Sequence, residues 1–247
     1  LNEVDFQASW SFGVDQVRHL AERTAMRYYA YGTKWDFSSL LIQLHCGNAV
    51  LSKHPLTGRN RFFDGQSFGD WLGGDVSYMD LVVALDSGQH VNLLHSHLGG
   101  RHKDHQARVL SEVGRRRGQA GLPVVFTGDL NAVPRSAAAA QRRARVLEEI
   151  LAGDTFHLFW KLERPPDSPE ARSLHTTRYR TIDHIIVSRD FDYDDCLVPA
   201  VDLSDHRPMV CDIALRQPPA PTALGQRESP PAPDGASPGR NVGEQRR

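Results

Sequence analysis

Strand-length apolar runs that stop abruptly in polar clusters constrain this chain more than any other feature. Leu40–Leu44, Ala49–Ser52, Met79–Leu85, Val91–His95, Val124–Thr127, Ile182–Val187 and Met209–Leu215 are rich in residues that favour extended backbone. Several are apolar throughout rather than alternating, the pattern of strands covered on both faces. Helical spacing separates some of them. From Val14 to Met26 the apolar positions are Val14, Val17, Leu20, Ala21 and Ala25. A second helix is predicted from about Lys103 to Arg117, with Ala107, Leu110 and Val113 inward and a basic end that suits the helix dipole. A third starts near Ser136 and turns Ala140, Ala144, Leu147, Ile150 and Leu151 inward until Gly153 stops it. Strand pairs in sequence with helices between them predict packed sheets flanked by helices, not a regular βαβ series.

The rest of the composition narrows the setting. A chain of 247 residues accommodates one sizeable α/β domain, expected over residues 1–216. Residues 217–247 are rich in Pro, Gly, Ser and Arg with almost no large apolar side chain, and are expected to form a disordered tail. A formal net charge of −1 provides no overall basic field for nucleic acid or anionic lipid, although a local basic groove is compatible with it. Cys46, Cys196 and Cys211 form neither a CxxC pair nor a disulfide framework and are expected to be free thiols. No apolar run approaches the roughly 18–20 residues of a membrane span. Because the chain opens at Leu1 without Met, the lack of a signal segment carries little weight.

The polar clusters sit at strand ends: Leu1-Asn2-Glu3-Val4-Asp5, His95-Ser96-His97-Leu98, Gly128-Asp129-Leu130-Asn131, Ile182-Asp183-His184 and Ser204-Asp205-His206-Arg207-Pro208. Each alone has an ordinary explanation. Gly128 to Asn131 reads as a strand-ending turn, one of His95 and His97 as a core histidine, and Asp205-His206 as a loop ion pair. Asp183, set among Ile182, Ile185, Ile186 and Val187, must be paired if buried. Taken together the clusters supply metal-assisted phosphoryl chemistry. Mg²⁺ takes one or two protein carboxylates and keeps waters, a role for Glu3. Asp129 beside Asn131 suits the aiming and deprotonation of a water. Histidines offset phosphate charge or move protons, and Asp183 is placed to fix the tautomer of His206.

In their order along the chain these clusters, with Gly47-Asn48-Ala49-Val50-Leu51-Ser52-Lys53, resemble the endonuclease/exonuclease/phosphatase superfamily over about residues 1–215. The resemblance implies a four-layer α/β/β/α sandwich of two packed mixed β-sheets flanked by helices. It implies a Mg²⁺-dependent phosphoesterase, Mn²⁺ serving as an alternative ion, that cleaves a phosphodiester in nucleic acid, phospholipid or a small molecule. Glu3 looks like the family's metal-ligating Glu, with Asn2 where Gln is usual, and Asp205 like a second, water-mediated metal contact. Asp129 looks like the carboxylate that orients or deprotonates the water, and Asn131 like its phosphate-contacting neighbour. His97 matches the histidine that binds phosphate or protonates the leaving group, and Asp183 the partner that orients His206. Asn48 reads as structural.

The sequence departs from the family pattern in three places. The family's first strand has no counterpart before Leu1, Thr181 stands where Arg is frequent, and His184 replaces a common Tyr. A zinc hydrolase built on His95, His97, His102 and His105 is disfavoured, because Gly99-Gly100 occupy the places where that pattern needs Asp-His. The other alternative is a catalytically inactive binding module on the same fold. The retained side chains at all the candidate positions speak against it.

Overall fold

In the computed structural model, residues 1–65, 76–99, 102–133, 141–159, 172–178, 180–201 and 203–216 are described. The strands are β1 (Val4–Asp5), β2 (Tyr28–Ser38), β3 (Gln43–Ser52), β4 (Leu56–Phe62), β5 (Ser77–Ala84), β6 (His90–Ser96), β7 (Val124–Asp129), β8 (Phe156–Leu158), β9 (Asp183–Ser188), β10 (Phe191–Leu197) and β11 (Val210–Leu215). The helices are α1 (Gln16–Arg23), α2 (Lys103–Gln119) and α3 (Gln141–Leu151). The predicted tail at 217–247 and the predicted start of the third helix before Gln141 lie outside the described residues.

A six-stranded sheet in the order β4-β5-β6-β7-β9-β8 organises the molecule, with β6 and β7 parallel and the other neighbours antiparallel. Its central strands are apolar at consecutive positions because each face meets a different partner. Leu94, Phe126 and Ile186 point to one side, where they pack with Leu110 and Val113 of α2 and Leu147 and Ile150 of α3. Val91, Val125 and Val187 point to the other and meet Phe191, Ile213 and Leu215 of the β10-β11 pair. That alternation follows from the two-residue period of a strand. Met79 and Leu81 of β5 meet Val50 of β3 in a further cluster.

The second β-layer comes in two parts, a three-stranded sheet β1-β3-β2 and the two-stranded β10-β11. α1 covers the outside of the first part, placing Val17 against Val4, Phe6 and Ala49. This is the helix–sheet–sheet–helix layering expected. α1 is shorter than the predicted Val14–Met26, because the Asp15 side chain accepts from the Arg18 N–H at 3.0 Å and caps it there. Val14 and Leu20, expected inward, are exposed.

Two expectations need correction. Cys196 and Cys211 are not free thiols: they form a disulfide, because they are direct partners in the antiparallel β10-β11 register. Cys46 alone is free. The apolar run Leu40–Leu44 is not a strand from its start. Leu40, Leu41 and Ile42 form the turn of the β2-β3 hairpin, and the strand begins at Gln43.

Gly128, next to the predicted site residue Asp129, has a φ of +135°, and an added Cβ would collide with the Ser96 carbonyl of the neighbouring strand. Only glycine fits this close approach of β7 to β6. Gly128→Ala is expected to lower the unfolding free energy by about 3 kcal/mol, read as a fall in the urea midpoint at unchanged slope.

Candidate active site

The carboxyl ends of parallel β6 and β7 lie at the edge of the sheet where antiparallel β9 begins. His97 follows β6, Asp129 ends β7 and Asp183 opens β9, and the last two are direct register partners. Two like charges are therefore fixed side by side at one edge. Thr176 pins the start of β9, its buried hydroxyl accepting from the N–H groups of Ile182 and Asp183, each at 3.2 Å.

His206 arrives from the loop before β11 and is held by a backbone bridge to Thr177. Its Nδ1 lies 2.8 Å from Asp183 Oδ2 and its Nε2 lies 3.9 Å from Asp129 Oδ2. Burial disfavours the imidazolium. The charge and hydrogen bond of Asp183, helped by Asp129 and Asp205, outweigh that and raise its pKa above the ordinary histidine value. Asp129 is raised as well, first by burial and then by Asp183, against the opposing pull of His97, the Asn131 N–H and His206.

Asn131 adopts the left-handed region at φ +47°, a conformation that asparagine tolerates. Its N–H donates to Asp129 Oδ1 at 2.7 Å and its Nδ2 donates to the Leu98 carbonyl at 3.0 Å. The same Nδ2 stands 3.2 Å from His97 Nε2. With Nε2 as the acceptor, the neutral ring carries its proton on Nδ1, which faces Glu3 Oε1 at 3.7 Å. His97 Nε2 also lies 3.6 Å from Asp129 Oδ2. Glu3, His97, Asp129, His206 and Asp183 thus form one connected group, with Asn131 braced against two of them.

Glu3 sits at a backbone φ of +52°, and 65% of its side chain is exposed. Asn48 holds it in place, the buried Oδ1 accepting from the Glu3 N–H at 3.3 Å. Lys34 Nζ lies 4.0 Å from Glu3 Oε1. Neither Lys34 nor Thr176 is marked by any motif in the sequence; a lysine in a strand and a threonine in a loop carry no pattern of their own. His95 is the core histidine of its pair. It is buried, Nδ1 accepting from the Thr127 hydroxyl at 2.9 Å and Nε2 donating to the Leu1 carbonyl at 3.0 Å. Asp205 is exposed beside His206 and accepts from the Ser204 hydroxyl.

The donor set suits a cation. Among the described residues, Asp129, Asp183 and His206 present ligand atoms that all lie within 4.8 Å of one another, although Asp183 Oδ2 and His206 Nδ1 are already bonded to each other. One residue from Glu3, the buried Asn2 Oδ1 accepts no hydrogen bond. Hard divalent ions take such oxygens.

A sequence model described as the endonuclease/exonuclease/phosphatase family matches residues 1–206. No curated protein matches the chain significantly. Among solved structures, an endonuclease/exonuclease/phosphatase from Beutenbergia cavernae is similar at 24% identity and a TM-score of 0.60, over 81% of this chain and 57% of that one. The human Nocturnin catalytic domain is similar at 20% identity and a TM-score of 0.59, over 87% and 79%. A family protein from Bacteroides thetaiotaomicron follows at 17% identity and a TM-score of 0.51, over 80% and 76%.

His184, beside Asp183, points away from this edge. Its Nε2 donates to the Ala132 carbonyl at 2.9 Å, and full burial pushes its pKa down to about 4. The unfolded chain binds the proton first on acidification, so stability falls as pH drops from the unfolded value near 6.5 to about 4. The loss attributable to this ring is roughly 3 kcal/mol. His184→Phe is expected to make the pH dependence of unfolding shallower by about one proton across that window, measured by urea titration at stepped pH. An unchanged slope would show that His184 does not titrate with folding.

Proposed function

We propose that this chain, which belongs to the endonuclease/exonuclease/phosphatase family, is a Mg²⁺-dependent phosphodiesterase that uses a His–Asp-assisted water. Members of the family are hydrolases acting on phosphoester bonds. The observation that carries the reading is the Asp183–His206 hydrogen bond at 2.8 Å, which aims the free edge of the imidazole at Asp129.

Mg²⁺, with Mn²⁺ as its substitute, fits Glu3, with Asn2 Oδ1 beside it and Asp205 as a water-mediated contact. Asp183 Oδ2 is already engaged by the imidazole, and Mg²⁺ prefers oxygen to nitrogen, so Asp183 and His206 act as a dyad and not as ligands. The ion supplies positive charge that offsets the charge developing on the phosphoryl oxygens.

Asp129 orients the attacking water and accepts its proton. Its raised pKa moves it toward the range in which a general base works best. The Asn131 N–H holds Asp129 Oδ1 at 2.7 Å, so Oδ2, which has only the longer contacts to Asn131 Nδ2, His97 and His206, is the oxygen for the water. Asp183 raises the His206 pKa and so favours its cationic form, which opposes the phosphate charge. His97 and His206 between them supply the proton that the leaving oxygen requires. The near-neutral chain favours a small or lipid phosphodiester over long nucleic acid, which needs a broad basic surface.

Hydrolysis of bis-p-nitrophenyl phosphate tests the proposal. Turnover is expected with Mg²⁺ and not with EDTA. His206→Ala and Asp183→Asn are each expected to lower kcat by roughly 10² to 10⁴, and Glu3→Gln to raise the Mg²⁺ concentration needed for half-maximal rate. A folded, Mg²⁺-loaded protein that cleaves neither this ester nor a panel of DNA, RNA, phospholipid and inositol phosphates would sink the reading in favour of a binding module.

A further inference from the structure

The β2-β3 hairpin runs past the active-site edge as a two-stranded ribbon. Toward the tip, β1 accompanies β3 as far as Gly47 and Cys46, and the last backbone bond from the N-terminal segment runs from the Phe6 N–H to the His45 carbonyl. Beyond that point, among the described residues, no further strand pairs with either one. The apex of the ribbon is apolar and bare: Leu40 is 100% exposed, Leu41 87% and Ile42 49%, with Phe37 half exposed behind them. From Phe37 to Leu44 the chain carries no charge. The first ionisable residues on the ribbon are Asp36 and His45, whose side chains meet at 2.7 Å. About 10 Å of strand separates that pair from Ile42, at about 3.3 Å per residue.

Two neighbours extend the apolar tip. Gln43 N–H donates to Ser9 Oγ at 2.8 Å, tying the turn Ser9–Ser11 to the ribbon. That turn presents Trp10, 60% exposed with its indole N–H turned back to Asp5, and Phe12, 96% exposed. Phe12 holds the left-handed conformation, which a bulky side chain adopts only under constraint.

We infer that this uncharged hairpin tip, Leu40–Ile42 flanked by Trp10 and Phe12, seats the protein on a lipid bilayer. Three features select a bilayer over another protein. Leu40, Leu41 and Ile42 are consecutive in a turn, so their side chains splay in different directions; a fluid apolar phase surrounds such a tip, whereas a groove covers one side of it. Three of the four amides of Ser39–Ile42 bond within the turn, which lowers the cost of placing it in an apolar solvent. Ser39 N–H donates to the Ile42 carbonyl at 2.8 Å, and Ser39 Oγ accepts from Ile42 at 3.0 Å and Leu41 at 3.4 Å. The charge pattern matches as well: the tip from Phe37 to Leu44 is uncharged, and the nearest ionisable side chains on the ribbon, Asp36 and His45, are hydrogen-bonded to each other where the headgroup layer would begin. Tryptophan with its polar end turned from the apolar phase is the side chain of that boundary. The docking is independent of the phosphoesterase reading. What it adds, resting on that reading, is a substrate class of phosphate esters presented at a membrane surface.

Flotation with phosphatidylcholine vesicles in EDTA tests the docking apart from catalysis. Wild-type protein is expected to float with them, equally at low and high salt. A Leu40→Ser/Leu41→Ser/Ile42→Ser variant is expected to lose partitioning on the order of 100-fold, while its rate on bis-p-nitrophenyl phosphate stays that of wild type. Leu41→Trp is expected to add a blue-shifted emission component on vesicle addition. Equal flotation of the triple variant, absence of flotation, or binding that needs phosphatidylserine and vanishes in salt would each overturn the inference. So would a concentration-dependent dimer abolished by the triple variant without vesicle binding, because the tip would then be an interface between copies.

Discussion

Two carboxylates placed side by side at one sheet edge set the terms for everything around them. Asp129 and Asp183 are register partners because β7 and β9 run antiparallel, and neither strand can slip without moving its apolar residues onto the wrong face. Packing therefore enforces an electrostatic conflict that is costly by itself. The conflict is resolved locally. His206 takes up Asp183 through a hydrogen bond, the Asn131 amide takes up one oxygen of Asp129, and His97 stands 3.6 Å from the other. A site that fixes charge in this way is prepared to receive an added proton or cation, and that is the demand of phosphoryl transfer.

The supporting contacts reach well into the sheets. Thr176 fixes the first residues of β9, Gly128 lets β7 approach β6 closely, and Asn48 holds the Glu3 backbone from β3. His95 ties the Leu1 carbonyl to β6 and β7 from inside the core. Glu3 consequently depends on the three-stranded sheet while Asp129 and Asp183 depend on the six-stranded one. Their separation is set by how the two layers pack, with Met79 and Leu81 against Val50 as one of the contacts that fixes it. Substitutions in that interlayer contact would act on the site without touching it.

Much of this was legible in the sequence, for identifiable reasons. The central strands showed because burial on two faces makes them apolar at every position, as at Val124, Val125 and Phe126. The polar residues were conspicuous because they interrupt such runs. β2 and β4 were not legible, since edge and hairpin strands such as Leu56–Phe62 are half exposed and mix polar with apolar residues. The Cys196–Cys211 bond was hidden because it follows from the register of β10 and β11, which sequence spacing does not determine. Lys34 and Thr176 were missed because their value lies in where the fold carries them. Leu40–Leu44 misled in the opposite direction: an apolar run implied burial, and the chain instead spends those residues on an exposed turn.

That exposed turn is mechanically continuous with the active site. Lys34 lies on the same ribbon as the tip and stands 4.0 Å from Glu3, while Asn48, which holds the Glu3 N–H, lies on the paired strand. From Lys34 to the apex is six residues, about 20 Å of strand. An object bearing on the tip therefore bears on the segment that carries Glu3, through backbone hydrogen bonds and not through a mobile loop. The bulge between Thr33 and Trp35 lies at the point where the ribbon leaves the sheet, and bulges bend and twist a strand locally. With the tip docked as inferred above, about 20 Å of strand separates the surface it contacts from Lys34 beside Glu3.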